Sequence, residues 1–130
     1  MSRIKHKDTQ PEQIIRSLIH QMGYRFRLHK PDLPGKPDIV LPKYRKIILV
    51  NGCFWHGHKN CSRAKLPKNN NIFWLKKIEG NKNRDKNNIA ALKNLGWDVL
   101  VIWQCEIKNQ IEVQQRLRKF INDHESETAE

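Results

Sequence analysis

The sequence predicts an α/β domain, a mixed sheet flanked by helices. Two nearly continuous apolar runs carry that prediction. Lys46-Ile47-Ile48-Leu49-Val50 is rich in β-branched residues and reads as a central strand buried on both faces. Trp97-Asp98-Val99-Leu100-Val101-Ile102-Trp103 reads as another core strand. Segments with apolar residues at helical spacing lie before, between and after these runs, an alternation that builds layers of helix on sheet.

The elements follow in order. Thr9 can cap a first helix, and Glu12 stands three residues later, as a capping box requires. Ile14, Ile15, Leu18, Ile19 and Met22 form one apolar stripe, and Gly23 is the expected stop. Residues 24–28 alternate and read as a strand. Three prolines and a glycine across residues 31–37 make a turn. Asp38-Ile39-Val40-Leu41 is a short strand, and Pro42-Lys43-Tyr44 turns into the central one. Residues 51–71 read as irregular. A helix is expected from Phe73 to Ile78, with Gly80 interrupting it. A second, very polar helix then runs over 81–95, with an apolar seam at Ile89, Leu92 and Leu95 and an end at Gly96. Val113, Leu117, Phe120 and Ile121 line a last helix. The domain is expected to span residues 1–122, and the acidic residues 123–130 are expected to be a frayed tail.

The chain has 130 residues, which fits one domain with a feasible core. No apolar stretch approaches the roughly 20 residues of a membrane span, and no signal-peptide core opens the chain, so a cytoplasmic protein without membrane contact is expected. The formal charge of +12 favours a polyanionic partner. Between Lys59 and Lys93 ten Lys or Arg face only two acids, Glu79 and Asp85. The plain alternative is a solvated basic face.

The cysteines are three, an odd number for a disulfide framework. In a reducing compartment metal binding is the better reading. Cys53, His58 and Cys61 fall in one short run, and Cys105 lies far along the chain. A Cys3His set suits structural zinc, because thiolate and imidazole are its preferred ligands and four close the shell. Phe54 and Trp55 sit inside the same run. A rigid loop with aromatics on a basic protein points to DNA.

A second chemistry belongs to the strand ends. Asp38 opens one strand, Val50-Asn51 closes the next, and the turn at Tyr44 should bring these ends side by side. A carboxylate there can hold Mg²⁺, which keeps several waters and needs few protein ligands. Such a cation activates water against a phosphodiester. His56 follows and could exchange a proton near neutral pH. On pattern alone, Asp38 is also an ordinary strand-start residue, His56 a surface histidine and Glu12 a capping group.

The run Asn51-Gly52-Cys53-Phe54-Trp55-His56-Gly57-His58, with Leu33-Pro34-Gly35-Lys36-Pro37-Asp38 before it, resembles the very short patch repair (Vsr) DNA endonucleases. So do Phe73-Trp74-Leu75-Lys76-Lys77-Ile78, Arg84-Asp85, Leu95-Gly96-Trp97 and Ile102-Trp103-Gln104-Cys105. The resemblance covers nearly the whole chain. It implies a restriction-endonuclease-like fold and Mg²⁺-dependent nicking of one strand of double-stranded DNA, 5′ to the thymine of a T·G mismatch left by deamination of 5-methylcytosine. It implies Asp38 as the magnesium carboxylate, a backbone carbonyl from Val50, His56 as the catalytic histidine and Glu12 as a supporting acid. Cys53, His58, Cys61 and Cys105 match the structural zinc ligands. Phe54, Trp55 and Trp74 match aromatics that wedge into the base stack, where a weakly stacked mismatch costs less to open. For Trp74 core packing is the alternative. A monomer in the bacterial cytoplasm, with other mismatch-repair proteins as further partners, completes the expectation.

Three departures from that family stand out. Asn51 occupies the place of a second histidine, and an amide cannot shuttle a proton. The chain begins near the end of the family's N-terminal arm, leaving Arg3, Lys5 and Lys7 as expected phosphate contacts beside Lys65 and Lys68. One extra residue separates His58 from Cys61. A sequence-specific restriction-type nuclease and a non-catalytic zinc-stabilised DNA-binding module are the competing readings.

Overall fold

The computed structural model describes residues 9–53, 56, 58, 68 and 71–122. Phe54, Trp55, Cys61, Lys65, Arg3, Lys5, Lys7 and the acidic tail lie outside them.

Helix α1 spans Gln10–Gln21. The Thr9 hydroxyl accepts the Glu12 amide at its start, and Pro11 sits in the first turn, where no amide is needed. It ends where Gly23 adopts φ +88°, a left-handed conformation that costs glycine little. Its stripe is buried at Ile15, Leu18 and Ile19.

The sheet runs β1 (Arg27–Leu28), β2 (Ile39–Leu41), β3 (Lys46–Asn51), β4 (Asp98–Trp103) in that spatial order. The first three strands pair antiparallel, and β3 pairs with β4 in parallel. The sheet is therefore mixed, as the sequence predicts. The parallel pair needs a crossover, and helix α2 (Asn71–Asn94) supplies it.

Strand alternation divides the core between two faces. Ile39 and Leu41 of β2, Ile48 of β3 and Ile102 of β4 pack with Ile15 and Ile19 of α1 and with Val113, Leu117 and Ile121 of helix α3 (Gln110–Asn122). Val40 and Ile47 face the other way, onto Leu92 of α2 and Trp97. Lys46 is the exception in this apolar frame. It is 1% exposed, with its ammonium 2.6 Å from the Asp98 carboxylate and over the Phe120 ring.

Four expectations are corrected. Gly80 does not interrupt a helix: α2 is continuous from Asn71 to Asn94, because the helical residues on both sides outweigh one glycine. Leu95 lies past the end of α2 and is exposed, so the seam stops at Leu92. The strand expected over 24–28 contracts to Arg27–Leu28, because Tyr24 and Phe26 instead pack against the core under α1. The last core strand begins at Asp98, since Trp97 closes the turn after α2 by donating its amide hydrogen bond to the Leu92 carbonyl. A 3₁₀ helix over Gln104–Lys108, unforeseen in the sequence, follows β4.

Candidate active site and metal centre

The C-terminal end of β3 opens into a cleft of about 1300 Å³. Asp38, at the start of β2, reaches it because the tight turn at Tyr44 returns β3 alongside β2. The Asp38 carboxylate accepts the Val50 amide at 2.9 Å. Burial pushes its pKa up to about 6, against the Val50 hydrogen bond, which lowers it; nearby Glu12 raises it further, and His29 and His56 lower it. A carboxylate so placed is unstable as a bare anion and suits a cation.

Glu12 approaches from α1. The sequence gives it a capping role, and its amide does bond Thr9. Its carboxylate, however, is 2% exposed and engaged by Arg16 at 2.5 Å and by the His29 ring at 2.9 Å. One ligand atom each from Glu12, His29 and Asp38 lies within 4.8 Å of the others.

His56 and Asn51 also line the cleft. Asn51 ends β3 and is buried. The His56 Nδ1 lies 2.5 Å from an Asp85 carboxylate oxygen, and Asp85 comes from α2 across the cleft. Carboxylate–imidazole contact of this kind fixes the ring and its tautomer. Lys76, Lys77 and Arg84 make the same helix a basic wall.

The second centre lies beyond the strand ends. Parallel pairing sets Asn51 opposite Trp103, so Cys53 and Cys105 each stand two residues past a matched pair. His58 folds back through its amide to the Cys53 carbonyl and stacks on Trp103, with ring centroids 4.1 Å apart. Its Nδ1 is 3.5 Å from the Cys105 sulfur, and donor atoms of Cys53, His58 and Cys105 lie within 4.8 Å of one another. Two thiols and an imidazole at that separation fit zinc.

Among the expected DNA contacts that are described, Lys68 is exposed. Trp74 is partly buried, belongs to neither core cluster, and packs edge-on against Phe73 at 5.2 Å. For Val50 the observed contact is its amide to Asp38.

Sequence reasoning missed three residues, His29, Arg16 and Asp85. Arg16 stands one helical turn after Glu12, a spacing that pairs opposite charges, and that signal was readable. Asp85 is one of two acids in a basic stretch, a signal of the same kind. His29 lies between a strand and a proline turn, with no periodicity to mark it.

Comparison with known proteins identifies the family. The sequence profile of the family described as DNA mismatch endonuclease Vsr matches residues 1–63. The type II nicking enzyme V.XorIIP of Xanthomonas oryzae pv. oryzae is 48% identical over 94% of this chain and 89% of its own. The DNA mismatch endonuclease Vsr of Escherichia coli K12 is 41% identical over 85% of this chain and 70% of its own. The chain belongs to the Vsr family. It is thereby an endonuclease, a hydrolase. The type II nicking enzyme V.NmeAIP of Neisseria meningitidis, 40% identical over 95% of this chain and 87% of its own, is a further relative. Among the described residues, no helix is long and apolar enough to cross a membrane.

Proposed function

We propose that this protein nicks one strand of duplex DNA, 5′ to the thymine of a T·G mismatch, with Mg²⁺ as catalytic and Zn²⁺ as structural cation. The observation that carries the reading is the meeting of Asp38 with the His56–Asp85 pair in one basic-walled cleft. Relatives named as nicking enzymes favour single-strand cleavage over the cutting of both strands. The donor set fits the cation: an oxygen ligand in a half-buried setting that disfavours its own bare charge. Asp38 would hold it, with the Val50 carbonyl contributing and Glu12 beside them. When bound, Mg²⁺ polarises the phosphodiester and lowers the pKa of water.

The protein's own groups do the rest. Asp85 anchors Nδ1 of His56, which leaves Nε2 to exchange a proton with the reacting water or leaving oxygen. Asn51 orients groups by hydrogen bonds and carries no proton. Lys76, Lys77 and Arg84 attract the strand backbone. Phe54, Trp55 and Trp74 replace base stacking at the opened mismatch, at roughly 1–3 kcal/mol per base. Cys53, His58 and Cys105, with Cys61 from outside the described residues, would hold the structural zinc. The setting is the bacterial cytoplasm, the acting species a monomer, and other mismatch-repair proteins are its further partners.

The test is a T·G duplex incubated with protein and Mg²⁺. A single nick in the thymine strand is expected. No cleavage, or equal cleavage of matched duplex, rejects the reading. Linear rather than nicked plasmid would favour a restriction-type nuclease.

A further inference from the structure

We propose that His29 is a positioning residue of the cation site, fixing the Glu12 carboxylate beside Asp38. The inference rests on the reading of this cleft as a divalent-cation nuclease site.

His29 connects the two carboxylates by different parts of itself. Its backbone amide donates to the Asp38 carbonyl at 3.1 Å. Its ring Nε2 lies 2.9 Å from Glu12 and 3.2 Å from the Arg16 guanidinium that holds the same carboxylate oxygen. The residue that presents Asp38 to the cleft and the side chain that holds Glu12 are thus joined through one amino acid. His29 itself lines the cleft and is about one-fifth exposed. Its φ of +47° is sparsely populated for a residue with a Cβ, and it aims the ring back toward α1.

Glu12 already has a cationic partner in Arg16, from its own helix. Charge compensation alone is therefore met within α1. The imidazole approaches from the sheet side and sets the distance of Glu12 from Asp38, which an i,i+4 pair on one helix does not control. Mg²⁺ keeps part of its water shell, so a neighbouring carboxylate at fixed distance orders those waters. Residues that orient metal-site carboxylates typically matter 10–100-fold in metal affinity.

The experiment compares wild type, His29→Ala, His29→Gln and His29→Gly as full-length zinc-loaded protein. Mg²⁺ affinity is read by calorimetry, with Asp38→Asn as the site control, and nicking of T·G duplex is followed against Mg²⁺ concentration. Thermal melting is recorded for each. Alanine and glutamine share the same backbone penalty at φ +47°, so their difference reports the side chain. We expect His29→Ala to weaken Mg²⁺ binding about tenfold or more. Its rate at saturating Mg²⁺ should stay within a few-fold of wild type. His29→Gln, whose amide can donate to Glu12, should recover most of the affinity.

Unchanged affinity in His29→Ala overturns the proposal, as does equal loss in Ala and Gln, which marks a merely structural role. Wild-type affinity in His29→Gly overturns it too. Failure of wild type to nick any mismatched duplex would sink the nuclease reading instead, and the calorimetric comparison of wild type with His29→Ala would still decide the role of His29.

Discussion

Asp38 carries the account at the scale of single residues. Its folded carboxyl binds a proton up to about pH 6, whereas an unfolded one releases it near 3.8. Protonation therefore favours the fold below pH 3.8, and that contribution is lost as pH rises to about 6. Above that, the uncompensated charge costs roughly 3 kcal/mol. Mg²⁺ should restore the loss. Its stabilising effect in thermal melts is expected to be larger at pH 7.5 than at pH 5, and equal effects would contradict cation binding at Asp38. Nicking at limiting Mg²⁺ should rise through about pH 6, because proton and cation compete for the same oxygens, and saturating Mg²⁺ should move that midpoint lower. A pH–rate series at two Mg²⁺ concentrations checks this. The meeting of Asp38 with the end of β3 was legible in the sequence, because a strand start and a neighbouring strand end can be paired across the turn at Tyr44; its chemistry was not, since on pattern alone Asp38 is an ordinary strand-start residue. His29 was not, since its place depends on a left-handed backbone that no residue type announces.

At the scale of elements, α2 is both scaffold and wall. It crosses from β3 to β4, buries Leu92 against the sheet and presents Asp85 and its basic residues to the cleft. Gly80 sits inside it with nothing within 4 Å of where a Cβ would stand. Gly80→Ala should therefore stabilise the protein by about 0.5–1 kcal/mol in denaturant melts. A loss of stability would show that the helix is not continuous there. Strands β2 and β3, most of β4 and the two terminal helices were readable from apolar spacing, whereas β1 was overextended. The break at Gly80 was misread because the propensity of one glycine was set against the helical residues on both sides of it. The short 3₁₀ helix carrying Cys105 had no periodic signal, yet it matters, because just past the parallel pair it brings Cys105 close to Cys53 and His58.

At the scale of the whole molecule, net charge governs the expected encounter with DNA. A net charge of +12 on 130 residues predicts binding dominated by phosphate contacts. Affinity for duplex should fall at least tenfold between about 50 and 200 mM salt, measured by fluorescence anisotropy. A flat response would contradict a basic DNA cleft. Chelation of zinc should abolish nicking even with Mg²⁺ present, because a structural site contributes folding free energy directly. Retained activity after verified zinc removal would show that the Cys53–His58–Cys105 cluster does not support the loop. The grouping of Cys53, His58 and Cys105 was readable because cysteine is scarce and its spacing is informative. How closely it neighbours the cleft was not, since that follows from strand register.

The most direct measurement pairs wild type with Asp38→Asn, an exchange that keeps shape and removes the charge. Mg²⁺ binding and thymine-strand cleavage of a T·G duplex are followed in one titration. The account predicts that wild type binds Mg²⁺ and nicks, while Asp38→Asn, folded and still bound to DNA, does neither. Undiminished nicking by Asp38→Asn would contradict it.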